Sequence, residues 1–105
     1  MIFTAGQVAW NEKGEVTGQG DVRLQTRQTL ENVISVLEEG GARIEDVLKC
    51  NVYLANIQDF QIMNEEFARV FCDNPPARTT IETRLAEPTM LVEIEAIAHI
   101  EATDR

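Results

Sequence analysis

Apolar residues recur along the chain with two different periods, and these periods predict helices alternating with strands. After Asp21, small and apolar positions follow at intervals of three or four, which is the spacing of one helix face. Asp21 is a suitable N-cap, Gly40-Gly41 a suitable end, and the opposite face, with Arg23 and Glu38, is predicted to be solvated. The predicted buried positions are Val22, Thr26, Leu30, Val33 and Leu37.

A second helix is predicted after residue 56, with Asn56 or Asp59 as its cap and Pro75-Pro76 as its stop. Its inner face is predicted to hold Phe60, Met63, Phe67 and Val70 or Phe71. Before it, residues 46–54 alternate in polarity, which is typical of a half-buried strand. The inward positions of that strand are predicted to be Leu48, Cys50, Val52 and Leu54.

Further strands are predicted at both ends of the chain. Residues 2–10 favour two short strands interrupted at Ala5-Gly6. Residues 77–85 and 90–100 favour two more, joined through Glu87-Pro88-Thr89 as a closing hairpin. The order β-β-α-β-α-β-β predicts a single α+β domain over 1–105, with one mixed sheet and two helices on one face. Because the last strand is apolar or weakly polar on both sides, we expect the bare sheet face to meet a partner.

Composition limits the class of protein. Eighteen acidic against 9 basic side chains give a formal charge of −9, which disfavours nucleic-acid binding. No apolar run has the length of a membrane helix and the start does not have the pattern of a signal peptide, so a cytoplasmic location is expected. One histidine and two separated cysteines, Cys50 and Cys72, do not suit a transition-metal site. The cysteines are expected as free thiols rather than as a disulfide.

Candidate chemistry is concentrated near the C-terminus. Arg78 follows Pro76-Ala77 at a strand start, so its backbone is held and its guanidinium can bind a carboxylate bidentately. Glu93 and Glu95 share one strand face, and either could act as an acid or hold water as a base. The alternative interpretation is that Arg78 neutralises one of these glutamates in a surface ion pair.

Several segments together resemble one family, the Rid (YjgF-type) proteins, also described as L-PSP endoribonucleases. The similarity runs nearly end to end. The most specific motifs are Pro76-Ala77-Arg78-Thr79-Thr80 and Val92-Glu93-Ile94-Glu95-Ala96. Further similar segments are residues 2–7, 25–32, 47–54 and 59–64.

The resemblance implies a chorismate-mutase-like fold and a homotrimer with active sites between subunits. It implies hydrolysis of 2-imino and enamino acids, such as 2-aminoacrylate, to 2-keto acids and ammonia, without a cofactor. By position, Arg78 matches the arginine that grips the substrate carboxylate, and Glu93 matches the acid that orients water. Gly6 and Thr80 match positions that line the cleft.

Three features depart from the family's pattern. The chain begins after the Gly-Pro-Tyr segment whose tyrosine covers the site in most members. Ala5 stands where many members have serine, and Thr80 stands where some have cysteine. Two alternatives to an imine deaminase stay open, a non-catalytic protein that binds small carboxylates and an endoribonuclease.

The predicted hairpin sets an expectation for the site. In that register Arg78 would lie opposite Ala96 or Ile97, with Glu93 on the order of 10–13 Å away. We therefore expect Arg78 and Glu93 to meet across a subunit boundary rather than within one chain.

Overall fold

The computed structural model describes residues 1–101. Its helices and strands are β1 (Ile2–Phe3), α1 (Val22–Glu39), β2 (Val47–Leu54), α2 (Phe60–Val70), β3 (Ala77–Glu82) and β4 (Val92–Ala98), with short 3-10 turns at Ile44–Asp46 and Ile57–Asp59. The strands form one mixed sheet in the order β1-β4-β2-β3. No helix in the described range is long and apolar enough to span a bilayer.

Both helices lie on one face of the sheet, as predicted. The side chain of Asp21 accepts a hydrogen bond from the backbone of Leu24 and caps α1, and all five predicted core positions of that helix are buried. From α2, Met63 and Phe67 are buried against the same core, together with Phe71 just beyond its end. The sheet contributes Cys50, Val52, Leu54, Val92, Ile94, Ala96 and Ala98 to this core.

The start of α2 differs slightly from the prediction. Asn56 caps the preceding 3-10 turn by accepting a hydrogen bond from the backbone of Gln58, whereas Asp59 makes no side-chain cap bond. Phe60 remains 38% exposed, because it lies at the first position of the helix and near the sheet edge.

The predicted closing hairpin is wrong. Strand β3 pairs in parallel with β2, and β4 pairs antiparallel with the other side of β2, so β2 separates them. The crossover through α2 returns the chain beside β2 in the same direction, as parallel pairing requires. The apolar β4 takes a central position between β1 and β2, and the more polar β3 takes the edge, where exposed backbone favours polar residues.

Two local predictions also need correction. The ladder between β2 and β4 shifts register between Val47 and Lys49, so Val47 is buried and Leu48 is 54% exposed. The second strand predicted within residues 2–10 is reduced to isolated bridges, Gln7 with Ile94 and Trp10 with Val16. The chain leaves β4 at Ala5 and returns at Gln7, and this interruption prevents a continuous ladder.

Candidate active site

Arg78 lies on the helix-covered side of the sheet, at the edge strand. Its backbone pairs in parallel with that of Cys50, a core residue, so the two side chains share a face. The guanidinium carbon lies 4.7 Å from the ring centre of Phe67 and 5.3 Å from that of Phe60. Its Nη1 donates a 2.7 Å hydrogen bond to the side-chain oxygen of Asn64. Helix α2 therefore holds the cation by ring stacking and by one amide.

Arg78 has no carboxylate partner among residues 1–101. Burial lowers the pKa of Arg78 from its ordinary value, although an arginine stays charged. The surface ion pair with Glu93 or Glu95 is therefore not formed within the chain. One guanidinium nitrogen of Arg78 donates to Asn64, and the other N–H donors of the guanidinium remain available to another acceptor.

Two further polar side chains accompany Arg78 on this face. Thr80 lies two residues along β3, and its hydroxyl oxygen is buried without a hydrogen-bond partner in the described part of the chain. Cys50 lies beside Arg78, and burial raises the pKa of its thiol to about 12, so it is not a nucleophile at neutral pH. Both cysteines are free, as expected, and Cys50 is buried whereas Cys72 is exposed.

Glu93 lies on the opposite, uncovered side of the sheet. It alternates along β4 with the buried Val92 and Ile94, and its backbone partner on β2 is Tyr53. A Cβ atom on Gly6 would lie 2.9 Å from the Glu93 carboxyl carbon and closer still to one oxygen. Any residue larger than glycine at position 6 would therefore overlap the Glu93 carboxylate, so Gly6 has a steric role. Burial, and secondarily the charge of Glu95, raises the pKa of Glu93 above its ordinary value.

Glu95, the next residue on this face, has partners of its own. Its Oε1 accepts a short hydrogen bond from the Tyr53 hydroxyl and a 3.3 Å bond from the Asn51 amide. Glu93 has no hydrogen-bond donor among the described residues. The two glutamates that the sequence left as alternatives thus differ in their surroundings, and Glu93 is the one left available.

Arg78 and Glu93 do not meet within one chain. Arg78 is level with Cys50 and Ala96, and Glu93 lies three residues further along β4, on the far side of β2. The separation in the sheet plane is about 14 Å, and the two side chains point to opposite faces. The hairpin register behind the expected separation is wrong, and in the observed register Arg78 and Glu93 still lie apart within the described chain. Their meeting across a subunit boundary stays a prediction.

Three concavities formed by the described residues lie away from both groups. One of them, of about 890 Å³, lies between the segment around Trp10 and α1, and neither Arg78 nor Glu93 lines it. Residues 1–101 contain no group of three or more His, Cys, Asp or Glu side chains placed to hold a metal ion. Arg78 and Glu93 thus belong to two separate surfaces, one on each side of the sheet.

Sequence reasoning did not assign a site role to Asn64, Phe60 or Phe67. The two phenylalanines have the spacing of a helix core face, and that spacing does not show that a cation will stack on them. Their position on the helix between β2 and β3 was the feature of the sequence that could have linked them to Arg78. In a β-α-β unit this helix packs against the strand that carries Arg78.

Residues 1–100 match the family described as endoribonuclease L-PSP. A RutC family protein of Pyrococcus horikoshii is 44% identical over 96% of this chain and 80% of its own length. Among solved structures, a Rid-family protein of Yersinia pestis, YyfB, superposes with a TM-score of 0.85 at 37% identity, over 94% of this chain and 77% of its own. The E. coli protein TdcF, solved with bound serine, gives a TM-score of 0.84 at 30% identity, over 94% and 80%.

These similarities cover almost all of the chain, its fold and its two most specific motifs. The chain belongs to the Rid/YjgF family, whose family description is endoribonuclease L-PSP.

Proposed function

We propose that the protein hydrolyses 2-imino and enamino acids, such as 2-aminoacrylate, to 2-keto acids and ammonia. The observation that carries the proposal is Arg78, a half-buried cation that is fixed by α2 and has no carboxylate partner in the described chain. A guanidinium held in this way suits a planar carboxylate through two parallel hydrogen bonds. Serine, the ligand of the related TdcF, carries such a carboxylate.

The active site, in this proposal, is shared between subunits of a homotrimer. Arg78 and Glu93 point to opposite faces of one sheet, so a single small substrate reaches both only when a second chain supplies one of them. The uncovered face also displays apolar side chains that favour association, including Phe3 at 70% and Ile81 at 45% exposure. A closed three-fold ring repeats the same contact three times.

The proposed reaction needs little machinery. Arg78 holds the carboxylate and so orients C2 of the C=N bond. An enamino acid first gains a proton at C3 and loses one from nitrogen, which gives this imine. Water held by Glu93 of a neighbouring subunit attacks C2 while Glu93 takes its proton and returns a proton to nitrogen, giving a carbinolamine. The hydroxyl proton then passes to the nitrogen through Glu93, the C–N bond breaks, and ammonia leaves as the carbonyl forms. Since imine carbon is already electrophilic, we propose that no cofactor and no covalent nucleophile take part.

The surroundings of Glu93 support its role in this scheme. Burial raises its pKa above the ordinary value, which makes the carboxylate a stronger proton acceptor. Gly6 leaves the space that the carboxylate occupies. Thr80 offers an unpartnered hydroxyl beside Arg78, which is suited to a second hydrogen bond to the substrate carboxylate.

Ammonia release tests the proposal. We expect the protein to accelerate conversion of 2-aminoacrylate, generated in the assay by a separate lyase, and pyruvate to form in equal amount. A parallel incubation with RNA at low salt examines the activity in the family's description, which the net charge of −9 disfavours. The proposal would be overturned if the parent protein cleaved RNA but did not hydrolyse imines, and if Arg78→Ala lost the RNA cleavage.

A mixing experiment tests the shared site. Arg78→Ala subunits retain Glu93, and Glu93→Gln subunits retain Arg78. After subunit exchange, an equal mixture should recover about a quarter of the parent activity, because about one site in four combines both intact residues. No recovery after proven exchange, or a monomer at micromolar concentration, would contradict the shared cleft.

A further inference from the structure

The open sheet face carries a second carboxylate beside the proposed base. Glu93 and Glu95 are separated by one residue on β4 and point to the same side, which places their backbones about 7 Å apart. Glu95 is fixed from β2 by Tyr53 and Asn51, whereas Glu93 accepts no hydrogen bond from the described residues. The arrangement is therefore asymmetric, with one anchored carboxylate and one unanchored carboxylate.

Tyr53 connects the two glutamates. Its backbone is the register partner of Glu93, yet its hydroxyl reaches Glu95. Because the hydrogen bond to Glu95 raises the pKa of Tyr53, the tyrosine stays a donor at neutral pH. The two hydrogen bonds thus hold the Glu95 carboxylate at a fixed position beside Glu93.

We propose that Glu95, anchored by Tyr53 and Asn51, is a positioning residue whose carboxylate beside Glu93 makes Glu93 a stronger proton acceptor. The inference rests on the proposed function and adds a residue to the proposed active site. Glu95 need not touch the substrate, since it acts through the electrostatic potential at Glu93. Its charge is one of the causes that raise the pKa of Glu93.

Within residues 1–101, two titratable groups lie beside Glu93, namely Tyr53 from β2 and Glu95 from β4. The N-terminal segment contributes the uncharged Gly6. Lys49 lies on the same face but is paired with Ile97, at the other end of the ladder. In the proposed trimer, Arg78 of a neighbouring subunit would also face Glu93. A comparison of parent and variant trimers keeps that contribution constant.

The test is Glu95→Gln, which removes the charge but keeps an oxygen that can accept from Tyr53. We expect the acidic limb of the kcat profile to move to lower pH by roughly 0.3–1 unit, because Glu93 loses its proton more easily. Glu95→Asp should retain the charge and most of the parent profile. Glu38→Gln, on the exposed side of α1, makes the same change in net charge far from the site.

A second measurement keeps this inference separate from the proposed function. The Glu93 carboxyl carbon, assigned by its loss in Glu93→Gln, is titrated by NMR without substrate, and its pKa should fall in Glu95→Gln. If the parent protein shows no imine hydrolysis, the proposed function fails while this titration still decides the role of Glu95. An unchanged Glu93 titration, or an equal shift in Glu38→Gln, would overturn the inference.

Discussion

The α1–α2 interface and the sheet edge of this protein both hold arginine side chains, but in opposite surroundings. On the α1–α2 interface, Arg23 and Arg27 donate to the buried Glu66 at 2.6 and 2.7 Å, and Arg23 also reaches Glu65. At the sheet edge, Arg78 is stacked on two phenyl rings, with only an amide as its polar partner.

For this reason the pKa shifts of the arginines in the two regions have opposite signs. Hydrogen bonds to carboxylates raise the pKa of Arg23 and of Arg27, whereas burial lowers that of Arg78. A cation whose partners lie within the chain contributes to the fold. A cation that the chain holds in place without a counter-charge is available to bind an anion, and this difference separates a structural arginine from a binding arginine.

The largest expected effect belongs to Arg78→Ala. Imine hydrolysis should fall at least about a hundredfold, because the substrate carboxylate loses its anchor. Arg78→Lys should recover little, since an ammonium lacks the planar fork. Circular dichroism and sedimentation should show the fold and assembly retained. The control is Arg84→Ala, an exposed arginine beyond β3, and a loss of activity there equal to that of Arg78→Ala would contradict a specific anion site.

Glu93→Gln should come next in size. Turnover should fall on the order of a hundredfold, since the base is removed, while binding of pyruvate should persist because Arg78 is intact. Calorimetry with pyruvate and the ammonia assay together separate binding from turnover. Parent-like turnover in this variant would show that another group serves as the base.

Gly6→Ala should have a smaller effect on the same face. The added methyl would overlap the Glu93 carboxylate, so the carboxylate must rotate away. We expect kcat to fall about tenfold with little change in KM, since Arg78 is untouched. Gly14→Ala is a useful comparison, because it alters a turn glycine with positive φ and open surroundings and should affect stability alone. Equal kcat for Gly6→Ala and the parent would remove the steric argument.

Much of the fold could be predicted because it follows from local periods. The buried face of α1 and most of the alternation along β2 both came from spacing. Strand pairing could not be derived in this way, since β2 enters between β3 and β4 through contacts distant in sequence. A sequence signal was present, because an apolar β4 suits the sheet centre and a polar β3 suits the edge.

The candidate site, like the fold, could be predicted only in part. Arg78 and Glu93 were identified from motif positions, but the faces on which they lie depend on the register of both with β2. Local patterns also misassigned Arg23 to a purely solvated face, because Glu66 lies on another helix and only packing brings the two together. Contacts between separate elements are the part that one sequence leaves undetermined.

Glu66→Gln should have the smallest effect on activity and the clearest effect on stability. Hydrogen bonding to Arg27, and then to Arg23, lowers the pKa of Glu66 despite the opposing effect of burial. A carboxyl with a lowered folded pKa stabilises the protein above its unfolded pKa of about 4.3, and that contribution is lost as the pH falls through the folded value.

At pH 7 we expect the Tm of Glu66→Gln to lie about 5 °C or more below that of the parent, since charge-assisted bonds are lost in a buried position. The difference should narrow as the pH falls below the unfolded pKa and then through the lowered folded pKa, where the parent carboxylate also takes up a proton. Glu65→Gln, whose side chain is 51% exposed and pairs only with Arg23, should change Tm by no more than about 2 °C. Thermal melts at one protein concentration, beside the ammonia assay, provide the measurement. If Glu66→Gln abolished turnover without changing Tm, the division between structural and binding arginines would be wrong.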